Sequence, residues 1–406
     1  MTGAYEGLNV FDLSQVIAGP FCTRLLADLG ADVIRIESRD GDIMRRLPVA
    51  FDGDLSTAFT QYNAGKRSVG LDLKSTGGLE VARDLVRWAD IMVENFRPGA
   101  LDRMGLTWEV LQKLNPRLVL CSIGLFGRTG PYSQISGHGM VAEAHSGLMS
   151  LTGDDGGPYT HFGTPLADMN VGVHALAAIG AALHQRSVTG VGALVDVSSF
   201  DALFAMIDQA VGQAMISNGE RAFGRYGSKH PQTVPSGVLM AANGEAATFS
   251  AVGDVAWGKL AAAMGEPALV TDERFADIES RIANRADLYA RIDTWGAGFV
   301  DAEALVEALG AAGLAGARIR SVAENMDDPH LRTRGTLQRI DLGDGVGEYL
   351  VQSAPYLISG AVIGPQGPPP HLAEHTLEVL TDVLHHPPAR IDALLASGAV
   401  FTTERH

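Results

Sequence analysis

The sequence is poor in cysteine, in aromatic residues and in positive charge. Its two cysteines, Cys22 and Cys121, stand far apart and form no C-x-x-C pair. That excludes a disulfide framework and fits a reducing compartment, which points to the cytoplasm. Lys and Arg number 31 against 47 Asp and Glu, a formal net charge of −16. With no basic run, nucleic-acid binding is excluded as the main role. An anionic ligand must then be held by local Lys and Arg. No basic, apolar leader opens the chain, so no signal peptide is expected. The longest apolar run, around Val171 to Leu183, is broken by His174 and by glycines and is shorter than a spanning helix needs. G-x-G-x-x-G is missing after the first strand, and G-x-x-x-x-G-K-[ST], G-x-S-x-G and H-E-x-x-H are missing altogether, which removes the usual nucleotide, hydrolase and zinc-protease signatures. His371 and His375 have a metal-like i, i+4 spacing, but three prolines precede them and no further ligands are evident; no metal is expected.

What is present is a large apolar fraction, 46% of 406 residues with 19% charged. That is enough for an extensive core and, at this length, for two or three domains. Leu8 to Leu13 reads as a strand, Phe21 to Leu29 as a helix closed by Gly30, and Asp32 to Glu37 as a second strand. The alternation continues with strands at Ser68–Leu73, Asp90–Asn95 and Leu118–Ile123, and helices at Gly77–Ala89 and Trp108–Leu114. It predicts an α/β class with a doubly wound parallel sheet, whose ligands lie outside the carboxyl ends of the strands. Gly192 to Ser198 reads as a further strand and Phe200 to Met215 as one helix. Composition then shifts. Residues 217–330 read as linkers and a small α+β domain, with a hairpin around Asn243-Gly244 and helices from Val255, Arg281 and Asp301. Ser321 to Thr333 reads as a polar return, Ala373 to Leu384 as a helix. The large domain is expected to comprise 1–216 plus 331–406.

Asp168 stands out. It is the single charged residue between Asp155 and Arg186, at the mouth of an apolar helical stretch from Val171 to Leu183. Two readings compete. As an N-cap, its carboxylate is stabilised by the free N–H groups and dipole of the helix. As a catalytic group, it is a carboxylate nucleophile or proton carrier. Local sequence alone favours the cap.

Wider context changes the balance. Val16-Ile17-Ala18-Gly19-Pro20 is followed by the run Leu26 to Glu37. Next come Asn63-Ala64-Gly65-Lys66-Arg67-Ser68, Val93-Glu94-Asn95-Phe96-Arg97-Pro98-Gly99-Ala100 and Gly124-Leu125-Phe126-Gly127-Arg128-Thr129-Gly130-Pro131. The Asp168 stretch and Ala373 to Leu380 complete the series. In this order and spacing the set closely resembles the family III CoA transferases, whose fold is shared by the α-methylacyl-CoA racemases. The resemblance runs from about Leu8 to about Leu380. It implies a Rossmann-like large domain built from both ends of the chain, an inserted small domain, and an interlocked homodimer. The implied activity is transfer of CoA from an acyl-CoA to a small carboxylate, with the CoA thioester as substrate, no tightly bound cofactor and no membrane or nucleic-acid partner.

The resemblance also implies roles for residues. Asp168 matches the nucleophile that carries CoA as an aspartyl thioester. Val16, Ala18, Leu71, Lys74, Asn95, Phe96 and Arg103 match positions that hold the CoA nucleotide. The basic side chains Lys66, Arg67, Lys74, Arg97 and Arg103 gather near strand ends and suit its phosphates, against the alternative of solvated surface charge. Where the family often has Arg directly after the strand-ending Glu, this chain has Ser38 and then Arg39, which takes over the contact or leaves it lost. His138 occupies the position of the racemase base. Three readings stay open for it: racemase acid–base partner of Asp168, orienting residue for an acceptor carboxylate, or a loop histidine without a role. The second ranks first, and the racemase is the alternative function. His145 is expected to be structural. Arg225-Tyr226-Gly227-Ser228-Lys229-His230-Pro231 is either an ordinary linker or a basic loop that holds a second carboxylate, as in a succinyl-CoA donor.

Overall fold

The structure, a computed structural model, describes residues 2–47, 54–220, 224–343 and 346–403. It divides into two compact units. The first comprises Met1–Ser146, Phe162–Met206 and Asp328–His406, and the second Gly147–His161 and Ile207–Asp327.

In the first unit, β1 (Asn9–Asp12), β2 (Asp32–Glu37), β3 (Arg67–Leu71), β4 (Ile91–Glu94), β5 (Val119–Gly124) and β6 (Ala193–Ser198) form one parallel sheet in the order β3-β2-β1-β4-β5-β6. The helices between them are α1 (Ala18–Asp28), α2 (Thr57–Asn63), α3 (Thr76–Trp88), α4 (Ala100–Arg103), α5 (Trp108–Leu114), α6 (Gly139–Ser146), α7 (Leu148–Leu151, in the second unit) and α8 (Leu166–Thr189). Successive strand residues point to opposite faces. Phe11, Ile34, Val69, Met92 and Leu120 therefore pack with Val81 and Leu85 of α3 and Leu111 of α5. Their neighbours Val10, Val33, Ile91, Val93, Val119 and Cys121 pack with Leu26 of α1 and Val171, Ala175 and Ile179 of α8. Coverage on both faces explains why the strands read as continuous apolar runs.

The helix expected over Val171 to Leu183 is longer, and it is not buried all round. Leu166–Thr189 buries Ala167, Val171, Gly172, Ala175, Ile179, Ala182 and Arg186, one face at helical spacing. By length and composition α8 could cross a membrane, but its buried face packs against α1 and the sheet as a core helix. Gly172 permits the approach, because a Cβ there would lie 2.9 Å from the Ala18 carbonyl oxygen and 3.0 Å from Phe21. The start of α8 is thus drawn against the start of α1. The single helix expected over Phe200 to Met215 is interrupted. It becomes α9 (Ser199–Phe204) and α10 (Gln209–Ile216), the second capped by Asp208.

The second unit contains the expected hairpin, β7 (Ser236–Met240) and β8 (Ala246–Ser250), with Gly244 at φ +85° in its turn, and β9 (Ala315–Arg318) beside β8. Helices α11 (Asp254–Ala263), α12 (Ile278–Ala283), α13 (Arg285–Gly296) and α14 (Ala302–Ala311) enclose a core that includes Trp257, Phe275, Leu288 and Leu305. The helix expected from Arg281 breaks at Asn284 into α12 and α13. The polar return from Ser321 contains two short helices: α15 (Val322–Met326), opened by a Ser321–Glu324 capping box, is the last helix of the second unit, and α16 (Pro329–Thr333) belongs to the first.

Back in the first unit, β10 (Leu337–Asp341) and β11 (Glu348–Gln352) pair as a hairpin. In place of the helix expected over Ala373 to Leu384 there is one turn, α17 (Thr376–Glu378), running into a wider-pitched turn over Val379–Val383. The C-terminal segment closes the sheet edge: β12 (Val400–Phe401) runs antiparallel to β3, the Thr376 hydroxyl accepts from the Gly70 N–H at 2.9 Å, and the His375 N–H donates to the Ser68 carbonyl at 2.9 Å.

Candidate active site

Asp168 is not the cap of α8. Pro165 occupies that position, and Asp168 lies in the first turn of the helix. Its carboxylate keeps the favourable dipole there. Among the described residues, nothing donates a hydrogen bond to it and no ion pair engages it, although it is half-buried. Apart from Glu143, described below, the other interior acids of the unit differ. Asp12 accepts from Ser14 and Thr23, Asp28 pairs with Arg24, and Glu37 and Asp54 both pair with Arg45. A desolvated carboxylate without partners is costly. Burial pushes the Asp168 carboxyl above the usual range, with the charge of Glu143 adding to the rise and that of His138 opposing it. The carboxylate rests against bare backbone, since a Cβ on Gly139 would lie 2.6 Å from Asp168 Oδ2. The Tyr62 phenol lies within its field: burial raises its pKa, and the Asp168 charge adds to the rise.

His138 directly precedes α6 and is exposed; its carbonyl accepts from Val141 N–H at 2.8 Å. Glu143, one turn into α6, is 4% exposed, and its Oε2 has no hydrogen-bond partner. Gly139 and Glu143 are four residues apart and share a helix face. Sequence reasoning passed over Glu143. The signal was available, because Glu143 is the single Asp, Glu, Lys or Arg between Arg128 and Asp154, the same kind of isolation that marks Asp168. His145 stacks edge-on against Phe126 at 5.1 Å and Tyr132 at 5.9 Å, a packing role.

The candidate nucleotide-binding residues gather at the carboxyl edge of the sheet. Val16 and Ala18 follow β1, Arg39 follows β2, Leu71 ends β3, with Lys74 just beyond it, and Asn95, Phe96, Arg97 and Arg103 follow β4. The order of strands reverses at β1, where such sheets open a crevice. Lys74, Arg97 and Arg103 are exposed, Phe96 is half-buried against the core, and the Leu71 side chain is buried. Arg39 stacks on the Phe401 ring at 4.8 Å and reaches the Gly398 carbonyl at 3.4 Å.

Two of the basic residues are committed elsewhere. The Lys66 ammonium is fully buried and donates to Asp12 Oδ2 at 3.1 Å, Thr23 Oγ1 at 2.7 Å, Asn63 Oδ1 at 3.0 Å and the Pro20 carbonyl at 3.0 Å. It cannot reach a phosphate. Burial brings it down to about 8, against the pull of Asp12. Arg67 pairs with Asp32 and Glu378. Sequence position near a strand end did not reveal that Lys66 points inward.

The loop after β1 is strained. Val16 has φ +67°, a left-handed conformation that costs an L-residue on the order of 1–2 kcal/mol. Such strain persists where surrounding contacts enforce it, and it clusters at functional sites. Asn95, expected as a ligand contact, has its amide occupied by this loop: Oδ1 accepts from Gln15 N–H and Nδ2 donates to the Gln15 carbonyl, both at 2.8 Å.

In the second unit, the guanidinium of Arg225 stacks over Tyr159 at 4.5 Å, and its buried Nη1 has no hydrogen-bond partner. The Gly227 N–H donates to the Gly153 carbonyl at 2.9 Å, which joins this loop to residues 147–161. Arg225 is a cation with spare donors.

The model of CoA-transferase family III matches residues 5–376. The chain is 35% identical over 388 residues to a succinyl-CoA:mesaconate CoA-transferase of Haloarcula hispanica, covering 94% of this chain and 96% of that one. It is 34% identical over 417 residues to a formyl-CoA:oxalate CoA-transferase of Streptomyces avermitilis, with 98% and 100% covered. A crystal structure of a CAIB/BAIF family protein from Brucella suis superimposes with a TM-score of 0.82 at 32% identity, covering 94% of this chain and all of that one.

Proposed function

The chain belongs to CoA-transferase family III, and from that premise we propose that it moves CoA from a donor acyl-CoA to a small carboxylic acid with Asp168 as covalent carrier. The single observation that carries the reading is the half-buried Asp168 carboxylate, left without partners at the start of α8 beside the Gly139 backbone. An Oδ atom attacks the thioester carbonyl. The C–S bond breaks, giving a mixed anhydride and the CoA thiolate. The thiolate then attacks Asp168 Cγ, the donor acid leaves, and an aspartyl-CoA thioester remains. The acceptor carboxylate runs the same steps in reverse. The bonds exchanged are similar in energy, and covalent catalysis divides one difficult transfer into easier ones. In this reading the first unit is the CoA-binding domain, its sheet is doubly wound, and Val16, Ala18, Leu71, Lys74, Phe96, Arg97 and Arg103 line the nucleotide site.

Relatives named for succinyl-CoA or succinate, among them the succinyl-CoA:mesaconate CoA-transferase above and a succinate–glutarate CoA-transferase of Agrobacterium fabrum at 34% identity, support a dicarboxylic substrate. We assign His138 to orienting the acceptor. The exposed side chains Val173, Val188, Phe204 and Met206 support a homodimer, which light scattering tests. The deciding experiment is mass spectrometry of protein mixed with succinyl-CoA. A CoA adduct on Asp168, absent in Asp168→Asn, supports the reading. Near-parent turnover by Asp168→Asn or Asp168→Ala refutes it. Deuterium uptake at the substrate α-carbon, with no adduct, assigns the protein to the racemase class instead.

A further inference from the structure

We propose that Asp42 is a positioning residue: backed by Arg35, it holds Val16 in its left-handed conformation and so fixes the loop against which acyl-CoA lies. The inference rests on the reading that this loop lines the CoA site.

Val16 is β-branched, and among the described non-glycine residues with positive φ (Val16, Asn218, Ala373 and His385) no other is. A branched Cβ is the poorest occupant of that region. The conformation therefore has to be imposed from outside the loop. Each N–H from Ser14 to Val16 is taken by a side chain. Ser14 N–H donates to Asp12 Oδ1 at 2.9 Å, Gln15 N–H to Asn95 Oδ1 at 2.8 Å, and Val16 N–H to Asp42 Oδ2 at 3.0 Å. Asn95 follows β4 and Asp42 follows β2, the two strands that flank β1. The loop is thus gripped from both sides of the crevice.

Asp42 is itself buried and held by several contacts. It is 6% exposed, its Oδ1 accepts from Met44 N–H at 2.9 Å, and its Oδ2 also takes the buried guanidinium of Arg35. Arg35 is anchored in turn on Asn63 Oδ1 at 2.9 Å and lies 3.7 Å from Glu37. The consequence lies one residue on. With the preceding donors occupied, the N–H groups of Ala18 and Gly19 in the first turn of α1 take no partner among the described residues. They remain at the carboxyl edge of the sheet as donors open to an anionic ligand. If Val16 relaxed to an extended backbone, this turn would be re-aimed.

The test is a double-mutant cycle on the full-length enzyme with succinyl-CoA and free CoA as probes. Asp42→Ala is expected to raise KM for the acyl-CoA, and the Kd of CoA by calorimetry, about tenfold or more, with kcat within about threefold. Asp42→Asn keeps an acceptor for Val16 N–H and should lose less. Glycine adopts positive φ without strain, so in a Val16→Gly background the increment caused by Asp42→Ala should shrink severalfold. An unchanged KM in folded Asp42→Ala overturns the proposal, as does an increment of equal size in the Val16→Gly background. If Asp42→Ala does not fold, Asp42→Ser, whose hydroxyl is too short to reach the Val16 N–H, runs the same cycle with the same criteria. If the parent binds no CoA, the functional reading fails separately. A crystal structure of Asp42→Ala then decides the positioning claim, which positive φ retained at Val16 would refute.

Discussion

Gly139→Ala separates catalysis from stability at one atom. The added methyl would meet Asp168 Oδ2 at 2.6 Å and Ala167 Cβ at 3.1 Å. Ordinary contact begins at 3.4 Å, so the carboxylate must retreat by about 0.8 Å. The Ala167 side cannot give way easily, because Ala167 is fully buried in α8. Misplacing a reacting group by about 1 Å costs on the order of 100-fold in rate. Stability should move little, since alanine is preferred over glycine in a helix by up to about 1 kcal/mol, which offsets part of the steric strain. The expected outcome is a fall in kcat of about 100-fold, with the midpoint of thermal unfolding within a few degrees of the parent. Activity is read by chromatographic separation of the product acyl-CoA, and stability by circular dichroism. A variant that turns over within about threefold of the parent would show that the Asp168 carboxylate is not held against this backbone in the working enzyme, and the site geometry argued above would be wrong.

Three further outcomes are expected. Asp168 has a carboxyl pKa raised in the folded state, so the stability of its protonated form is present at low pH and lost as pH rises through the folded pKa. Asp168→Asn should therefore melt higher than the parent at pH 7, the gain disappearing near pH 3; equal melting at pH 7 counts against a desolvated carboxylate. Glu143→Gln removes a like charge, so the acid limb of the parent's kcat/KM profile should move to lower pH, and an unmoved limb refutes coupling between Glu143 and Asp168. Lys66→Met leaves the fully buried Asp12 carboxylate short of its main countercharge and should cost about 3–5 kcal/mol in denaturant unfolding at pH 7. Native Lys66 releases its proton near 8, whereas the unfolded residue holds it to about 10.4. The unfolded state binds more protons in that window, so the parent should gain on the variant as pH rises through it; a gap that narrows is the contrary result.

The alternation of strands and helices was legible in the sequence, because apolar periodicity and turn residues act within a few positions. β2 at Asp32–Glu37 and α5 at Trp108–Leu114 begin and end where those local signals place them. The isolation of Asp168 in an apolar stretch was legible for the same reason, but its place inside the first turn rather than at the cap was not, since Pro165 begins the helix earlier.

Burial and long-range pairing were not legible. Lys66 follows Gly65 in a segment that resembles an exposed basic loop, and only the packing of α1 and α2 around it turns the ammonium toward Asp12, Thr23 and Asn63. The positive φ of Val16 contradicts local preference and exists because Asp42 and Asn95, 26 and 80 residues distant from the loop positions they bind, meet it there. The sequence by itself determined the class of fold, the family and the candidate nucleophile, since each is written in short-range pattern and residue type. The tertiary structure decided which charges stay at the surface and which are spent inside the core, because that depends on groups brought together from distant parts of the chain.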